Sequence, residues 1–342
     1  MKKKHIIKRA ILIAAAILLA LAATAAAILL KHSDPHITEP TRIDIPAGTG
    51  YDALVDSLDA HGCISQHTVF HLLAKARRLP DHIKPGSYRF QPGDNTLQII
   101  QKLYSGQQTP VRVTIRKART AEQLCRYLET KLALSGDSLL RLMQSDSVCR
   151  LYGESPETII GLFLQNTYEL YWTITPKALL DRMHKESDAF WKQRQAALDS
   201  LGMSRQQVLT LASIVDEETN CNEEKPTIAS VYLNRLRIGM PLQADPTIKF
   251  ALGDFGIRRI LNDMLETESP YNTYRNTGLP PGPICIPTTS SIDAVLKNLK
   301  TGYLFFCAKE DFSGRHNFSC THNEHINNAK KFHKALNDKN IR

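Results

Sequence analysis

Residues 204–219 read SRQQVLTLASIVDEET, and the way this stretch distributes apolar and acidic residues decides how the chain folds. Ser204 followed three residues later by Gln207 is a capping-box signature for a helix start, and Leu211, Ile214 and Val215 mark a face to be buried. Three acids close the stretch. At about 100° per residue, Glu218 falls roughly 20° from Leu211, whereas Glu217 and Asp216 lie about 120° and 140° away. Glu218 alone therefore shares the apolar stripe. A carboxyl held against apolar neighbours loses hydration of its charged form, keeps its proton towards neutral pH and is suited to general acid work. The bland alternative is a frayed helix end that points Glu218 at solvent or pairs it with Arg235 or Arg237.

The following segment, NEEKPTIASVYLNRLRIG (222–239), reads as a second helix with Asn222 as N-cap, acids in the first turn, Pro226 early and a stop at Gly239. A tight helical hairpin brings its Asn234 and Arg235 towards the first helix, with the two arginines also placed to cap the C-terminal end. PLQADPT (241–247) reads as an extended turn whose Gln243, Asp245 and Thr247 are able to hydrogen-bond a polyol. PYNTYRNTGLPPGPICIP (270–287) sets Tyr271, Asn272, Thr273 and Tyr274 against a rigid proline loop. Aromatic faces beside amides and hydroxyls are what a carbohydrate groove needs, because sugars offer apolar C–H faces ringed by hydroxyls.

Upstream, RIDIPAGTGYDALVDSLDAHG reads as strand, turn and helix, QHTVFHLLAKARRL as a second helix and GSYRF as a returning strand. The strand-turn-helix pattern recurs in YRFQPGDNTLQIIQKLYSG and in VRVTIRKARTAEQLCRYLETKL, where Thr120 and Gln123 form another capping-box signature. This β-α-α-β module over residues 42–136 resembles the glycan-binding LysM type, and a generic α+β spacer accounts for the same residues. A polar connector (137–156) leads to a larger, mainly helical domain at 157–342 that ends in a strand and a helix (GYLFFCAKE, HNEHINNAKKFHKAL). The fold class is α+β.

Ala10–Leu30 holds 21 residues without a charge, matching a hydrocarbon core of roughly 30 Å at about 1.5 Å per residue. The preceding Lys2, Lys3, Lys4, Lys8 and Arg9 keep residues 1–9 cytoplasmic and send the rest outward from a single transmembrane helix. A cleaved signal peptide is the competing reading, because small residues cluster at Ala23–Ala27. Residues 31–41 read as a short extended linker. Five of the positive charges behind the net +9 flank the anchor, so nucleic acid is not an expected partner. Seven cysteines stand singly with no C-x-x-C pair, most of them expected in the core, and Cys307 reads as part of a buried strand. His316, His322 and His325 near Cys320 fit no common zinc spacing and read as ordinary loop histidines, so neither metal nor cofactor is expected.

Together LASIVDEET, IASVYLNRLRIGMPLQADPTI, YNTYRNTGLPPGPICIP and the terminal H-x-F with a later His resemble the endolytic murein transglycosylases of the YceG-like (MltG) family. With the anchor and LysM-like module they cover nearly the whole chain in the family's order. Family members carry Glu-Lys-Glu after the A-S-I-V-like stretch, the second glutamate being catalytic, and its position here is Glu218. Two departures stand out: Gln165 and Asn166 replace the family's Pro and Asp in GLFLQNTY, and Ile326 follows His325 in place of Asn.

The resemblance implies an enzyme at the periplasmic side of the bacterial inner membrane that cleaves the MurNAc–GlcNAc bond of nascent peptidoglycan strands, beside penicillin-binding proteins. Glu218 protonates the glycosidic oxygen, and the same carboxylate then draws the proton from the muramyl O6 hydroxyl to close a 1,6-anhydro ring. Two rival readings remain: a hydrolytic muramidase with Glu218 as acid and Asp245 activating water, and a non-catalytic scaffold that holds glycan.

Overall fold

The computed structural model describes residues 2–32 and 34–339 and, within the first helix, the side chains of Lys8, residues 11–24 and Ala27. The molecule is α+β, with helices α1 (Lys2–His32), α2 (Tyr51–Ala60), α3 (His67–Ala76), α4 (Thr96–Ser105), α5 (Ala121–Glu129), α6 (Gly136–Met143), α7 (Asp146–Arg150), α8 (Pro176–Lys192) and α9 (Gln195–Leu201). After these come α10 (Arg205–Glu218), α11 (Lys225–Arg237), α12 (Asp245–Leu252), α13 (Thr289–Leu296) and α14 (His322–Asp338). Six short strands accompany them: β1 (Thr41–Ile45), β2 (Gly86–Phe90), β3 (Val111–Thr114), β4 (Thr167–Leu170), β5 (Phe305–Ala308) and β6 (His316–Ser319). The chain forms two compact units, one of residues 1–112 with 169–173 and one of residues 113–168 with 174–342. The division falls after Arg112, so VTIRKARTAEQL, read from sequence as part of the first module, belongs to the second unit.

In the first unit β1 and β2 pair antiparallel from Thr41↔Phe90 to Ile45↔Gly86. Alternation along β1 turns Ile43 and Ile45 inward, where they meet Leu54, Leu58, Phe70, Tyr88, Ile99 and Leu103. The segment read as a free linker is partly built in. Ile37 is buried in this core, and the Asp34 carboxylate accepts from the Thr96 amide at the start of α4. Among the described residues no helix is long and apolar enough to cross a membrane. The side chains at 10, 25, 26 and 28–30 of the predicted anchor, and those of Lys2, Lys3, Lys4 and Arg9, lie outside the described residues.

The second unit is organised around α10. Its capping box forms as read: Ser204 Oγ accepts from the Gln207 amide, and Gln207 Oε1 accepts from the Ser204 amide. At the start of α5 only half the box closes, because Gln123 Oε1 accepts from Arg119 N, one residue before Thr120. The single buried stripe expected for α10 is replaced by burial all round, and every residue from Val208 to Asp216 is buried. α11 and α13 and the loop at 280–287 surround it, with Val208, Leu211, Ile214, Ile228, Tyr232, Ile284 and Val295 in one core. α11 starts two residues later than Asn222 implied, with Glu224 as N-cap, and Asn222 instead accepts from Ser290 Oγ.

The proline loop is part of this core. Ile284 N donates to Ser213 Oγ, Ile286 N donates to Ala118 O, and the Gln165 amide donates to Ile286 O at 2.7 Å. Where the loop enters, a Cβ on Gly282 would stand 2.2 Å from the Glu157 carbonyl oxygen, so only glycine fits without moving backbone. Gly282→Ala is expected to destabilise the protein by about 1–3 kcal/mol, read as a lower urea midpoint of the helical signal.

Candidate active site

Three acids end α10 in three different environments. Asp216 lies in the core, its carboxylate accepting from Lys117 Nζ at 2.7 Å, Lys225 Nζ at 3.2 Å, Ser291 Oγ at 2.5 Å and Thr288 Oγ1. Burial pulls this carboxyl up, but the hydrogen bonds from Lys117, Ser291 and Thr288 outweigh it and hold it well below the ordinary range. Lys117 also caps the exposed end of the helix by donating to the Asp216 carbonyl at 3.1 Å. Glu217 is bound by Lys117 at 3.2 Å and Arg119 at 3.0 Å. Asp216 and Glu217, read from the helical wheel as facing away, are thus enclosed and ion-paired.

Glu218 has no cation of its own. Its Oε1 accepts from the Tyr232 hydroxyl at 2.6 Å, placed by α11 running back beside α10. Burial raises the carboxyl, the Tyr232 hydrogen bond lowers it, repulsion from Asp245 raises it, and Lys249 and Arg235 lower it. Desolvation wins, and the group is pushed up to about 7.

Two clefts meet at this carboxyl. The first, of about 310 Å³, has Glu218, Tyr232, Arg235, Gln243, Asp245 and Tyr274 among its walls, closed by Phe305, Phe306, His322 and His325. The second, of about 420 Å³, runs from Glu218 along Thr219–Cys221 to Ser313–His316. Two clefts that share an acid as a wall suit a substrate that extends on both sides of the bond it presents.

The residues expected to bind sugar separate into two groups. Gln243, Asp245 and Tyr274 line the groove, with Tyr274 donating to Asp245 Oδ1 at 2.5 Å. The segment read as an extended turn is in fact the entry to α12, with Asp245 in its first turn, and Gln243 before it adopts left-handed backbone at φ 50°. The remaining five pack or hydrogen-bond within the fold and do not line this cleft. Thr247 and Thr273 are buried with their hydroxyls 2.9 Å apart, and Thr273 also accepts from Ala244 N. Buried Asn272 donates to the Leu265 and Thr267 carbonyls and accepts from Tyr274 N. Tyr271 packs on Phe250 with centroids 4.6 Å apart, and Asn234 donates to the Thr301 and Tyr303 carbonyls. Local pattern reading identifies polar residues but not which way a turn directs them.

Several cleft residues were not singled out for the groove from sequence. Arg235, read as a helix cap, is buried and donates to the Leu304, Leu242 and Pro241 carbonyls. Tyr232 stands three positions before it, a spacing that puts both on one helix face and was the available signal. His322 and His325 share one face of α14, where His325 stacks on Phe305 at 5.3 Å. Burial, with His322 and Arg235 nearby, lowers the His325 imidazole. The cysteines are all free: four are buried, Cys307 and Cys221 are half-buried, and Cys320 is exposed. Cys307 is therefore a strand residue but not the buried one expected.

A carboxyl raised to about 7 and lining two open clefts has the properties a general acid needs. Residues 43–331 match the model of the YceG-like family, and the chain belongs to that family. The protein from Bacillus subtilis strain 168 named endolytic murein transglycosylase is 29% identical over 327 residues, spanning 91% of this chain and 90% of that one. One of the same name from Streptococcus pneumoniae serotype 2 is 26% identical over 296 residues, 78% of this chain and 54% of that protein. The crystal structure of a YceG-like protein from Listeria monocytogenes superposes with a TM-score of 0.57 at 30% identity, covering 85% of this chain and 99% of that one.

The raised Glu218 pKa carries a stability cost with a defined sign. The unfolded chain ionises this group near 4.5, and the folded protein does so near 7. Stability is unpenalised below pH 4.5, falls as pH rises towards 7 and stays reduced above it. Glu218→Gln escapes this, so the variant is expected to gain about 1–3 kcal/mol over wild type at pH 8 and little at pH 4.5, measured by urea unfolding at both.

Proposed function

We propose that the chain is a membrane-anchored lytic transglycosylase that cuts the MurNAc–GlcNAc bond of nascent peptidoglycan strands within the chain and thereby ends their elongation. The observation that carries this reading is Glu218, protonated up to about pH 7 where the two clefts meet. The names of the Bacillus and Streptococcus relatives support it. Glu218 gives its proton to the glycosidic oxygen as the bond to the muramyl anomeric carbon breaks. The muramyl O6 closes on that carbon, its proton restores the Glu218 carboxyl, and a 1,6-anhydro end results without water. Gln243, Asp245 and Tyr274 bind sugar hydroxyls in the first cleft.

Asp245, which accepts from Tyr274, serves in this reading as a sugar-binding residue, and the product distinguishes this from hydrolysis. Murein treated with the full chain in detergent is expected to give anhydromuropeptides, one water lighter than hydrolysed ends by mass spectrometry. Glu218→Gln should slow this about 10²–10⁴-fold. Hydrolysed ends would establish the muramidase, unchanged cleavage by Glu218→Gln would remove Glu218 as the acid, and absence of cleavage by wild type would leave the scaffold reading.

The proposed anchor rests on the 21 uncharged residues at 10–30, within α1. Its Ile11, Leu12, Ile13, Ile17, Leu18, Leu19 and Leu21 are all more than half exposed, a display that water penalises and lipid accepts. The catalytic unit then lies on the periplasmic side, near penicillin-binding proteins. The chain should remain in the membrane pellet after an alkaline carbonate wash, and its recovery in the wash would remove the anchor.

A further inference from the structure

The second cleft holds a proton-carrying pair that the acid chemistry leaves unused. His316 Nδ1 lies 3.0 Å from Glu224 Oε2, and the His316 amide donates to Glu224 Oε1 at 3.0 Å. Glu224 is buried at the N-cap of α11, where the helix dipole favours negative charge. A carboxylate only accepts, so Nδ1 is the protonated nitrogen and Nε2 is left as an acceptor. Among the described residues Nε2 has no hydrogen-bond partner. The ring stands edge-on to Phe306 at 5.4 Å and keeps 14% of its side-chain surface exposed. His316 and Glu218 line the same cleft. The other charges there are engaged elsewhere, Arg315 by Glu223 at 2.6 Å and Glu217 by Lys117 and Arg119.

We propose that His316, oriented by Glu224, is a catalytic base that relays the proton of the muramyl O6 back to Glu218. This rests on the transglycosylase reading. As the bond between the anomeric carbon and the glycosidic oxygen breaks, the Glu218 proton goes to that oxygen. O6 bonds to the anomeric carbon and its proton passes to His316 Nε2. The imidazolium, stabilised by Glu224, then donates this proton to the Glu218 carboxylate, so both groups are restored and no water is consumed. Glu224 is a positioning residue, serving the imidazole as the aspartate serves histidine in a hydrolase triad.

Product partition tests the relay, because a purely structural role would not alter it. With the full chain in detergent on uncrosslinked murein strands, His316→Gln is expected to lower kcat about 10²–10⁴-fold with KM changed less than about threefold. The remaining turnover should yield a larger share of hydrolysed ends, since water competes with an unassisted O6. Glu224→Gln should shift the same ratio in the same direction, and free imidazole should restore part of the activity of His316→Gly. If wild type forms no anhydro ends, the transglycosylase reading itself fails. If wild type forms them while both Gln variants keep the wild-type kcat and product ratio, or lose only KM, the relay is overturned. Should His316→Gln not fold, the ratio from Glu224→Gln decides.

Discussion

The last turn of α10 carries two carboxyls, two residues apart, whose proton affinities are pushed in opposite directions. Asp216 and Glu218 leave the same helix end, yet one holds its charge in the core and the other keeps a proton up to about pH 7 at the groove. Partners make the difference. Asp216 meets two ammonium groups and two hydroxyls, whereas Glu218 meets one phenol and a neighbouring negative charge. A buried ion cluster adds little net stability but is costly to break, because removing one partner leaves an uncompensated charge. Its main consequence here is geometric. Lys117 and Lys225 tie α10 to the loop before α5 and to α11, while Thr288 and Ser291 tie it to α13. A helix end that would otherwise fray is fixed from three directions, and Glu218 is fixed with it.

This arrangement explains how far the sequence could be read. The periodicity of residues 204–219 locates the helix and its cap because those depend on neighbours three and four residues away. It also selects Glu218, although on the premise of a single buried stripe, and the premise does not hold. A helix enclosed on every side has no stripe, and Asp216 can be buried because Lys117, 99 residues earlier, is brought to it. No local pattern contains that information. The same limit separates Gln243, Asp245 and Tyr274 from Thr247, Asn272 and Thr273, since residues of equal polarity in one turn point alternately to the groove and into the core. His322 and His325, read as ordinary loop histidines, stand instead in the first turn of α14, and their place in the groove depends on Phe305 and Arg235 beside them.

The buried polar residues of the 270–287 segment are nevertheless part of how the groove works. Asn272 closes its own turn, and Thr273 and Thr247 fasten that turn to the start of α12. Those hydrogen bonds bring the Tyr274 hydroxyl to Asp245. Satisfied internally, they hold a groove wall in place without an ordering cost at binding. Gly282, wedged against Glu157, sets the depth at which the proline loop enters the core and so supports the same wall from behind.

The tether sharpens the reading of the anchor. A free linker over residues 31–41 would reach at most roughly 40 Å at about 3.3–3.6 Å per residue. With Ile37 in the core and Asp34 bound to α4, only residues 31–33 stand in the sequence between the uncharged stretch 10–30 and the first anchored residue of the packed fold, a reach of about 10 Å. Under the proposed anchoring, the first unit is held directly at the bilayer surface rather than floating above it. On the proposed reading, such a tether would favour glycan strands emerging at the membrane over mature strands deeper in the wall. Residues 10–30 would then contribute to substrate choice through position, a form of selection that the groove chemistry alone does not provide.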